Sequence, residues 1–168
     1  AKVQPGQKVL INGASGGVGT FSVQIAKALG AEVTGVCSTR NVEMVQSLGA
    51  DHVIDYTQED FVQSGQRYDA IVDNVGNRSF SDYRRALTPE GIHQPNTGHG
   101  GMTYVIKAYV LSAFMRQHAS PFLSVPNAED LGYLRDLIEA GKVKPVIDRT
   151  YPLSETPEAF RYLEEEHA

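Results

Sequence analysis

The sequence predicts an α/β fold, a doubly wound parallel sheet of about six strands with helices on both faces. Short apolar runs rich in β-branched residues alternate with segments of helical periodicity along the first half of the chain. Glycines end these helical segments, as Gly30 and Gly49 do. Strands and helices that alternate at this spacing form a parallel sheet, and right-handed crossovers then fix how the chain winds.

Length, charge and cysteine content restrict the class of protein. The 168 residues suit one domain, and the net charge of -5 argues against general nucleic-acid binding. Cys37 is the only cysteine, which excludes a disulfide framework and a cysteine-rich zinc site. No apolar run reaches the roughly 18–20 residues that cross a membrane. We therefore expect a cytoplasmic protein with neither a nucleic-acid nor a membrane partner.

Both ends of the sequence predict a fragment of a longer protein. Residues 1–6 are typical of a connector that enters the first strand directly. Residues 164–168 read as an acidic helix end without a capping glycine, where a helix dipole favours cations.

The first half contains four predicted strands with helices between them. Strands are expected at 9–11, 32–37, 51–56 and 68–75. Helical spacing predicts helices at 18–29 and 42–48, and a polar helix at 58–64.

The second half has weaker patterns. A helix is expected at 80–87, broken by Thr-Pro-Glu-Gly at 88–91. The fifth strand is expected at 91–97, although His93 and Pro95 suit a strand poorly and a proline belongs at an edge or a strand end. Further expectations are a flexible loop at 98–101, a long apolar helix at 102–116, a sixth strand at 122–125, a helix capped by Asn127 and ended by Gly141, an extended segment at 143–151, and a last helix beginning at Ser154.

The stretch at 8–21 predicts a dinucleotide site. An apolar strand leads into small residues and then into a helix, the order in which a Rossmann-type fold binds a pyrophosphate. The turn fits two templates, Ala14-x-Gly16-x-x-Gly19 and Gly13-x-x-x-Gly17-x-Gly19. The free N–H groups and dipole of the following helix favour a phosphate in either case.

The end of the second predicted strand favours NADP over NAD. An NAD site places Asp or Glu there to bind the ribose 2′-hydroxyl. This sequence has Cys37, Ser38, Thr39 and Arg40 instead. Hydroxyls and a guanidinium suit a 2′-phosphate, which a carboxylate would repel. The sequence therefore predicts that NADPH is preferred to NADH.

Several motifs resemble the cofactor domain of the medium-chain dehydrogenase/reductase superfamily, in its zinc-independent, quinone oxidoreductase-like branch. They are Pro-Gly-Gln-Lys-Val-Leu at 5–10, Asn-Gly-Ala-Ser-Gly-Gly-Val-Gly at 12–19, Leu-Gly-Ala-Asp-His-Val-Ile-Asp-Tyr at 48–56, Asp-Asn-Val-Gly at 73–76, and the tail at 137–145 and 151–160. The stretch at 91–95 departs from the family, which has a glycine pair and a smooth strand there.

The resemblance implies specific roles for the predicted cofactor-binding residues. It places the turn backbone on the pyrophosphate, a second group around the 2′-phosphate, a third along a ribose, and a loop near the nicotinamide. The complete set is Ala14, Ser15, Gly16, Gly17, Val18 and Gly19, then Ser38, Thr39, Arg40 and Tyr56, then Asn74, Val75 and Gly76, and finally Thr97 and Gly98.

The resemblance also implies what the chain lacks. Members of the family have an N-terminal substrate domain resembling a chaperonin-10 barrel and a final C-terminal strand, and that domain supplies most catalytic groups. The intact parent would be an NADPH-dependent reductase of quinones, enones or related carbonyls. The chain alone would bind cofactor without catalysis and contains no predicted catalytic residue. The apolar stripe at 102–114 would support a homodimer.

Other patterns in the sequence bear on three alternatives. A short-chain dehydrogenase needs Tyr-x-x-x-Lys, but Tyr104 is followed by Lys107, one residue too close. A metal site is not expected, because the histidines are dispersed and Cys37 stands alone. A non-catalytic dinucleotide-binding or dimerisation module remains open.

Overall fold

The computed structural model describes residues 3–96, 118–119 and 127–164. Its centre is a six-stranded sheet in which every neighbouring pair of strands is parallel. The strands are β1 (Lys8–Asn12), β2 (Glu32–Cys37), β3 (His52–Asp55), β4 (Tyr68–Asp73), β5 (Leu87–Pro95) and β6 (His118–Ala119). Their order, β3-β2-β1-β4-β5-β6, confirms the predicted doubly wound sheet.

The described helices connect or flank these strands. They are α1 (Gly17–Ala28), α2 (Val42–Ser47), α3 (Phe80–Ala86), α4 (Ala128–Glu139) and α5 (Thr156–Glu164), with 3-10 turns at Thr39–Asn41 and Leu153–Glu155. Gly30, Gly49 and Gly141 follow helix ends with positive φ, as their positions in the sequence predicted. The Asn127 side chain caps α4, since its carbonyl accepts the Asp130 N–H at 2.8 Å.

Helices cover both faces of the sheet. Successive side chains of β1 point to opposite faces, and each set packs against different helices. Val9 and Ile11 belong to a buried cluster that also contains Val23 of α1 and Val45 of α2. Leu10 belongs to a second cluster on the other face, with Tyr83 and Ala86 of α3. The two clusters confirm the predicted layer order.

The strand order places a switch point between β1 and β4. From β1 the chain winds outward to β3, and it then returns to β4 on the other side of β1. Ligands of open α/β sheets bind at the carboxyl ends of the strands beside such a point. The turn that follows β1 and the loop that follows β4 lie there.

The predicted helix at 58–64 is wrong, because this segment forms hydrogen-bonded turns. The Asp60 carboxylate accepts the Val62 N–H at 3.0 Å, and the Asp55 carboxylate accepts the Thr57 N–H at 2.9 Å. Such side-chain bonds offer the backbone an alternative to helical bonds. Phe61 is buried in the cluster beneath β4, which fixes the turns in place.

The fifth strand begins four residues earlier than predicted, at Leu87. Leu87 pairs with Tyr68, and the register then shifts until Ile92 pairs with Ala70. The predicted break at 88–91 is therefore an irregular part of the strand. Pro95 ends β5, as expected for a proline in a sheet.

Three predictions of the second half lie outside the described residues: the loop at 98–101, the helix at 102–116 and the strand at 122–125. The sixth described strand, at 118–119, was not predicted. Residues 143–151 form neither a helix nor a strand, and the predicted extended conformation of this segment stays a prediction. None of the helices in the described parts of the chain is long and apolar enough to cross a membrane.

Candidate dinucleotide-binding site

A cleft of about 640 Å³ opens at the carboxyl ends of β1, β2 and β4. The glycine turn after β1 forms one wall, the end of β2 forms a second, and the loop after β4 forms a third. Ten of the predicted cofactor-binding residues line it: Ser15, Gly16, Gly17, Val18, Gly19, Ser38, Arg40, Tyr56, Asn74 and Val75. Residues from distant parts of the sequence therefore meet at the switch point.

The first wall is the N-terminus of α1. The first helical bond runs from the Thr20 N–H to the Gly16 carbonyl at 2.9 Å, so the N–H groups of the preceding turn have no helical acceptor. Gly16 is the N-cap without a side-chain cap bond, and the first turn contains no acidic residue. These free N–H groups and the positive end of the dipole form a setting for an anion.

The space in front of this wall depends on Gly17. A Cβ built on Gly17 would meet no other atom within 4 Å, so the missing side chain leaves room on the cleft side. Gly13 has φ of 75°, and a Cβ on it would lie 2.8 Å from Val75 Cγ2. The turn and the β4 loop therefore approach each other closely because Gly13 has no side chain.

The second wall contains the groups predicted for a 2′-phosphate. Arg40 and Tyr56 are exposed, and Ser38 is half-buried. The Asn41 amide lies 3.4 Å from the Ser38 hydroxyl. None of the ion pairs among the described residues includes Arg40. The guanidinium is therefore available to a phosphate.

Three predicted residues do not line the cleft. Ala14 is buried, and its N–H donates to the Val36 carbonyl at 2.9 Å. The Thr39 hydroxyl donates to Asp55 Oδ2 at 2.6 Å, at the carboxyl end of β3. The Gly76 N–H donates to Asp73 Oδ1 at 3.0 Å. They support the walls of the cleft. Thr97 and Gly98 lie outside the described residues.

The cleft also contains residues that the sequence did not reveal. Arg78 and Phe61 line it, and the Arg78 guanidinium lies 6.0 Å from the centre of the Phe61 ring. Arg78 also pairs with Asp60, with 3.1 Å between Nη1 and Oδ2. Glu59 is the carboxylate on the same wall. One sequence signal was present, because Phe61 is the aromatic residue of a mostly polar segment at 58–64.

Asn74 presents a polar group without a partner among the described residues. Its Oδ1 accepts from Asn96 Nδ2 at 2.8 Å, whereas its own Nδ2 is buried and has no hydrogen-bond acceptor there. A buried donor without an acceptor is costly. A ligand oxygen in the cleft would satisfy it.

Cys37 contributes to the floor of the cleft at the end of β2, with its side chain buried. Burial, with a smaller contribution from the nearby Asp55 carboxylate, raises the pKa of the Cys37 thiol to about 11. The thiol is therefore neutral and not a nucleophile at neutral pH.

Comparison with known proteins identifies the family. Residues 48–168 match the family model described as zinc-binding dehydrogenase. The chain belongs to this family. It is 38% identical over 166 residues to a chloroplast envelope quinone oxidoreductase homolog of Arabidopsis thaliana, which covers 95% of the chain and 50% of the relative. It is 39% identical over 184 residues to the mitochondrial NAD(P)H oxidoreductase RTN4IP1 of Mus musculus, which covers 97% of the chain and 46% of the relative.

A solved structure agrees with the fold. The quinone oxidoreductase from Coxiella burnetii superimposes with a TM-score of 0.84 at 31% identity, over 100% of this chain and 52% of that one. The resemblance to medium-chain, quinone oxidoreductase-like proteins is thereby confirmed, and the short-chain alternative is not supported. The chain spans about half the length of the curated relatives it matches.

The family description raises the question of a metal site. Within residues 3–96, 118–119 and 127–164, no three His, Cys, Asp or Glu side chains come together in a group that could hold a metal ion. The names of these two relatives assign one to the chloroplast envelope and the other to the mitochondrion. The predicted cytoplasmic location of this chain stays a prediction.

Proposed function

We propose that the chain is the NADP(H)-binding domain of an oxidoreductase that transfers hydride from NADPH to a quinone, enone or related carbonyl. One observation carries the proposal: a single cleft joins the uncapped N-terminus of α1 to the Ser38 hydroxyl and the Arg40 guanidinium. NADP(H) has a pyrophosphate and a 2′-phosphate, so it can place negative charge at the N-terminus of α1 and beside Arg40 at the same time.

The pyrophosphate is assigned to the glycine turn. The N–H groups at the start of α1 donate to its oxygens, and the open space at Gly17 admits it close to the backbone. The Asn74 amide donates to an oxygen of the ribose or carboxamide region.

The 2′-phosphate is assigned to Ser38 and Arg40. The strand β2 ends without the carboxylate that binds a ribose 2′-hydroxyl in NAD sites. Arg40 donates charge-assisted hydrogen bonds, and Tyr56 borders the same space. Thr39 has a support role, since its hydroxyl is bonded to Asp55. Glu59 also lines the cleft, but it follows β3. The carboxylate that selects NAD is at the end of β2 instead.

The reaction is proposed from the relatives. Similar proteins are named quinone oxidoreductase and NAD(P)H oxidoreductase. The bound nicotinamide supplies the hydride, while the residues of this chain bind and orient the dinucleotide. We assign substrate binding to an N-terminal domain of the same protein, and we expect a homodimer. The chain by itself binds cofactor without turnover.

Fluorescence titration with NADPH and NADH tests this function. We expect tighter binding of NADPH, and Arg40→Ala should weaken NADPH about tenfold or more, since a hydrogen bond to a charged group contributes about 1.5–3 kcal/mol. NADH binding should not change. Arg135→Ala, an exposed arginine on α4, is the matched control. Equal affinity for both nucleotides, unaffected by Arg40→Ala, would contradict the 2′-phosphate assignment. Failure to bind either nucleotide would contradict the whole proposal.

A further inference from the structure

Beneath the cleft, one buried carboxylate connects the two loops that face each other across it. Asp73 ends β4, and its side chain is 1% exposed. Its Oδ1 accepts from Asn12 Nδ2 at 2.9 Å, from the Val75 N–H at 3.2 Å and from the Gly76 N–H at 3.0 Å. Asn12 is the last residue of β1, so the carboxylate joins β1 to the loop after β4.

The other side of this carboxylate faces His93 of β5. The His93 Nε2 lies 3.5 Å from Asp73 Oδ2, and the His93 side chain is fully buried. The ring of Tyr83 in α3 stacks on His93, with 4.1 Å between centroids and 19° between planes. The Tyr83 hydroxyl lies 3.5 Å from Asn12 Nδ2 and also interacts with the carboxylate. Four elements therefore meet at Asp73.

A buried charge is costly unless several partners compensate it. Burial alone raises the pKa of Asp73, but the His93 imidazole 3.5 Å away, the Gly76 N–H, the Tyr83 hydroxyl and the Asn12 amide outweigh burial and hold the pKa well below its usual range. The side chain is therefore ionised at neutral pH. The sequence around His93 suited a strand poorly. His93 is accommodated in β5 because the Asp73 carboxylate faces its side chain.

The Asp73 carboxylate also determines the conformation of the loop after β4. By accepting the Val75 and Gly76 N–H groups, Asp73 fixes the loop in a turn in which Gly76 has φ of 71°. The Asn74 N–H also donates to the Asn12 carbonyl at 3.1 Å. Val75 is thereby held against Gly13, and the separation between the β4 loop and the glycine turn is set.

We propose that Asp73, held by His93, is a positioning residue that sets the width of the dinucleotide cleft without touching the ligand. This inference rests on the proposed function. It predicts a defect that is shared by NADPH and NADH, because the carboxylate acts on both loops and lies away from the 2′-phosphate residues.

Nucleotide titrations of the 168-residue protein test this role. Asp73→Asn keeps the side-chain shape and removes the charge, and we expect the Kd for NADPH and for NADH to rise about tenfold, with their ratio unchanged. The amide NMR shifts of Val75 and Gly76 should move in this variant. Val33→Ala, a buried change near the amino end of β2, is the stability control and should leave both Kd values and both shifts unchanged.

The outcomes separate this inference from the proposed function. If the wild-type protein binds neither nucleotide, both fail. If it binds and Asp73→Asn binds equally well, or if Val33→Ala weakens binding as much as Asp73→Asn, the positioning role alone is wrong. If Asp73→Asn does not fold, the same comparison is made with His93→Asn, for which both Kd values should rise about threefold, since a neutral hydrogen-bonding partner contributes about 0.5–1.5 kcal/mol.

Discussion

Gly19 lies directly against the carbonyl oxygen of Gly13, so the first turn of α1 packs on the loop that precedes it. A Cβ on Gly19 would overlap that oxygen and would come within 2.8 Å of the Ala14 Cα. Gly17 is two residues away and has no such neighbour. One glycine is thus required by the fold, whereas the other leaves space for a ligand.

The first prediction contrasts alanine at these two glycines. Gly19→Ala should lower the free energy of unfolding by about 1–3 kcal/mol or more, because the overlap is with backbone that cannot move away cheaply. Gly17→Ala should leave stability unchanged or raise it by up to about 1 kcal/mol, since alanine favours a helix. It should weaken NADPH binding, because the added methyl group projects into the space assigned to the pyrophosphate. Urea denaturation and NADPH titration measure both effects, and wild-type affinity in Gly17→Ala would refute the phosphate assignment.

The second prediction concerns the pH dependence of stability. The pKa of folded Asp73 lies below the unfolded value of about 3.9, so its stabilising effect is complete above that pH and is lost as the pH falls through the folded-state pKa. At pH 7, Asp73→Asn should lower the free energy of unfolding by about 2–3 kcal/mol. The difference from wild type should shrink below about pH 4.

Urea denaturation of both proteins between pH 7 and pH 3 measures this difference. Asp136→Asn is the control, because Asp136 is exposed on α4 and pairs with Arg135 at the surface. A constant gap between Asp73→Asn and wild type across the whole pH range would show that the ionised carboxylate is not the source.

Local signals explain what the sequence predicted. Strand β2 has the predicted bounds, Glu32–Cys37, because its apolar run is flanked by a glycine turn and by polar residues. Asn127 and Gly141 mark the ends of α4 through their own backbone and side-chain chemistry. The glycine turn was recognisable because its spacing is fixed by contacts within a few residues.

Long-range contacts explain what was missed. Phe61 stacks on Tyr83, with ring centroids 6.2 Å apart, and this contact holds the segment at 58–64 in turns that helical spacing did not predict. His93 suits its strand because its partner Asp73 is on another strand. Arg78 reaches the cleft through the same turns, as its ion pair with Asp60 shows. No pattern within a single segment contains this information.

The third prediction concerns the reactivity of Cys37. Because burial raises its pKa to about 11 and the side chain is enclosed, the folded protein should react with a thiol reagent such as DTNB at pH 8 far more slowly than the unfolded protein in urea. NADPH should not accelerate labelling. Rapid, complete labelling under native conditions would show that the end of β2 opens, in disagreement with the buried thiol.

The fourth prediction concerns the connection between α1 and the C-terminal segment. Gln24 is buried, its Nε2 donates to the Lys144 carbonyl at 3.0 Å, and its Oε1 accepts the Lys144 N–H at 2.8 Å. The Gln24 amide thus bonds to the Lys144 backbone as a neighbouring strand would, and the two residues are far apart in the sequence. Val143 beside it is fully buried. The amide side chain therefore holds the start of the segment at 143–151 against α1.

Gln24→Met keeps the length of the side chain but leaves the Lys144 N–H and carbonyl without this partner, which should cost about 1–3 kcal/mol. Hydrogen exchange at the Lys144 amide should accelerate by roughly tenfold or more, because each 1.4 kcal/mol is a factor of ten in the opening equilibrium. Gln46→Met, at an exposed glutamine on α2, is the matched control and should change neither quantity. Unchanged exchange at Lys144 in Gln24→Met would mean that burial of Val143, and not the amide pair, holds the segment to α1.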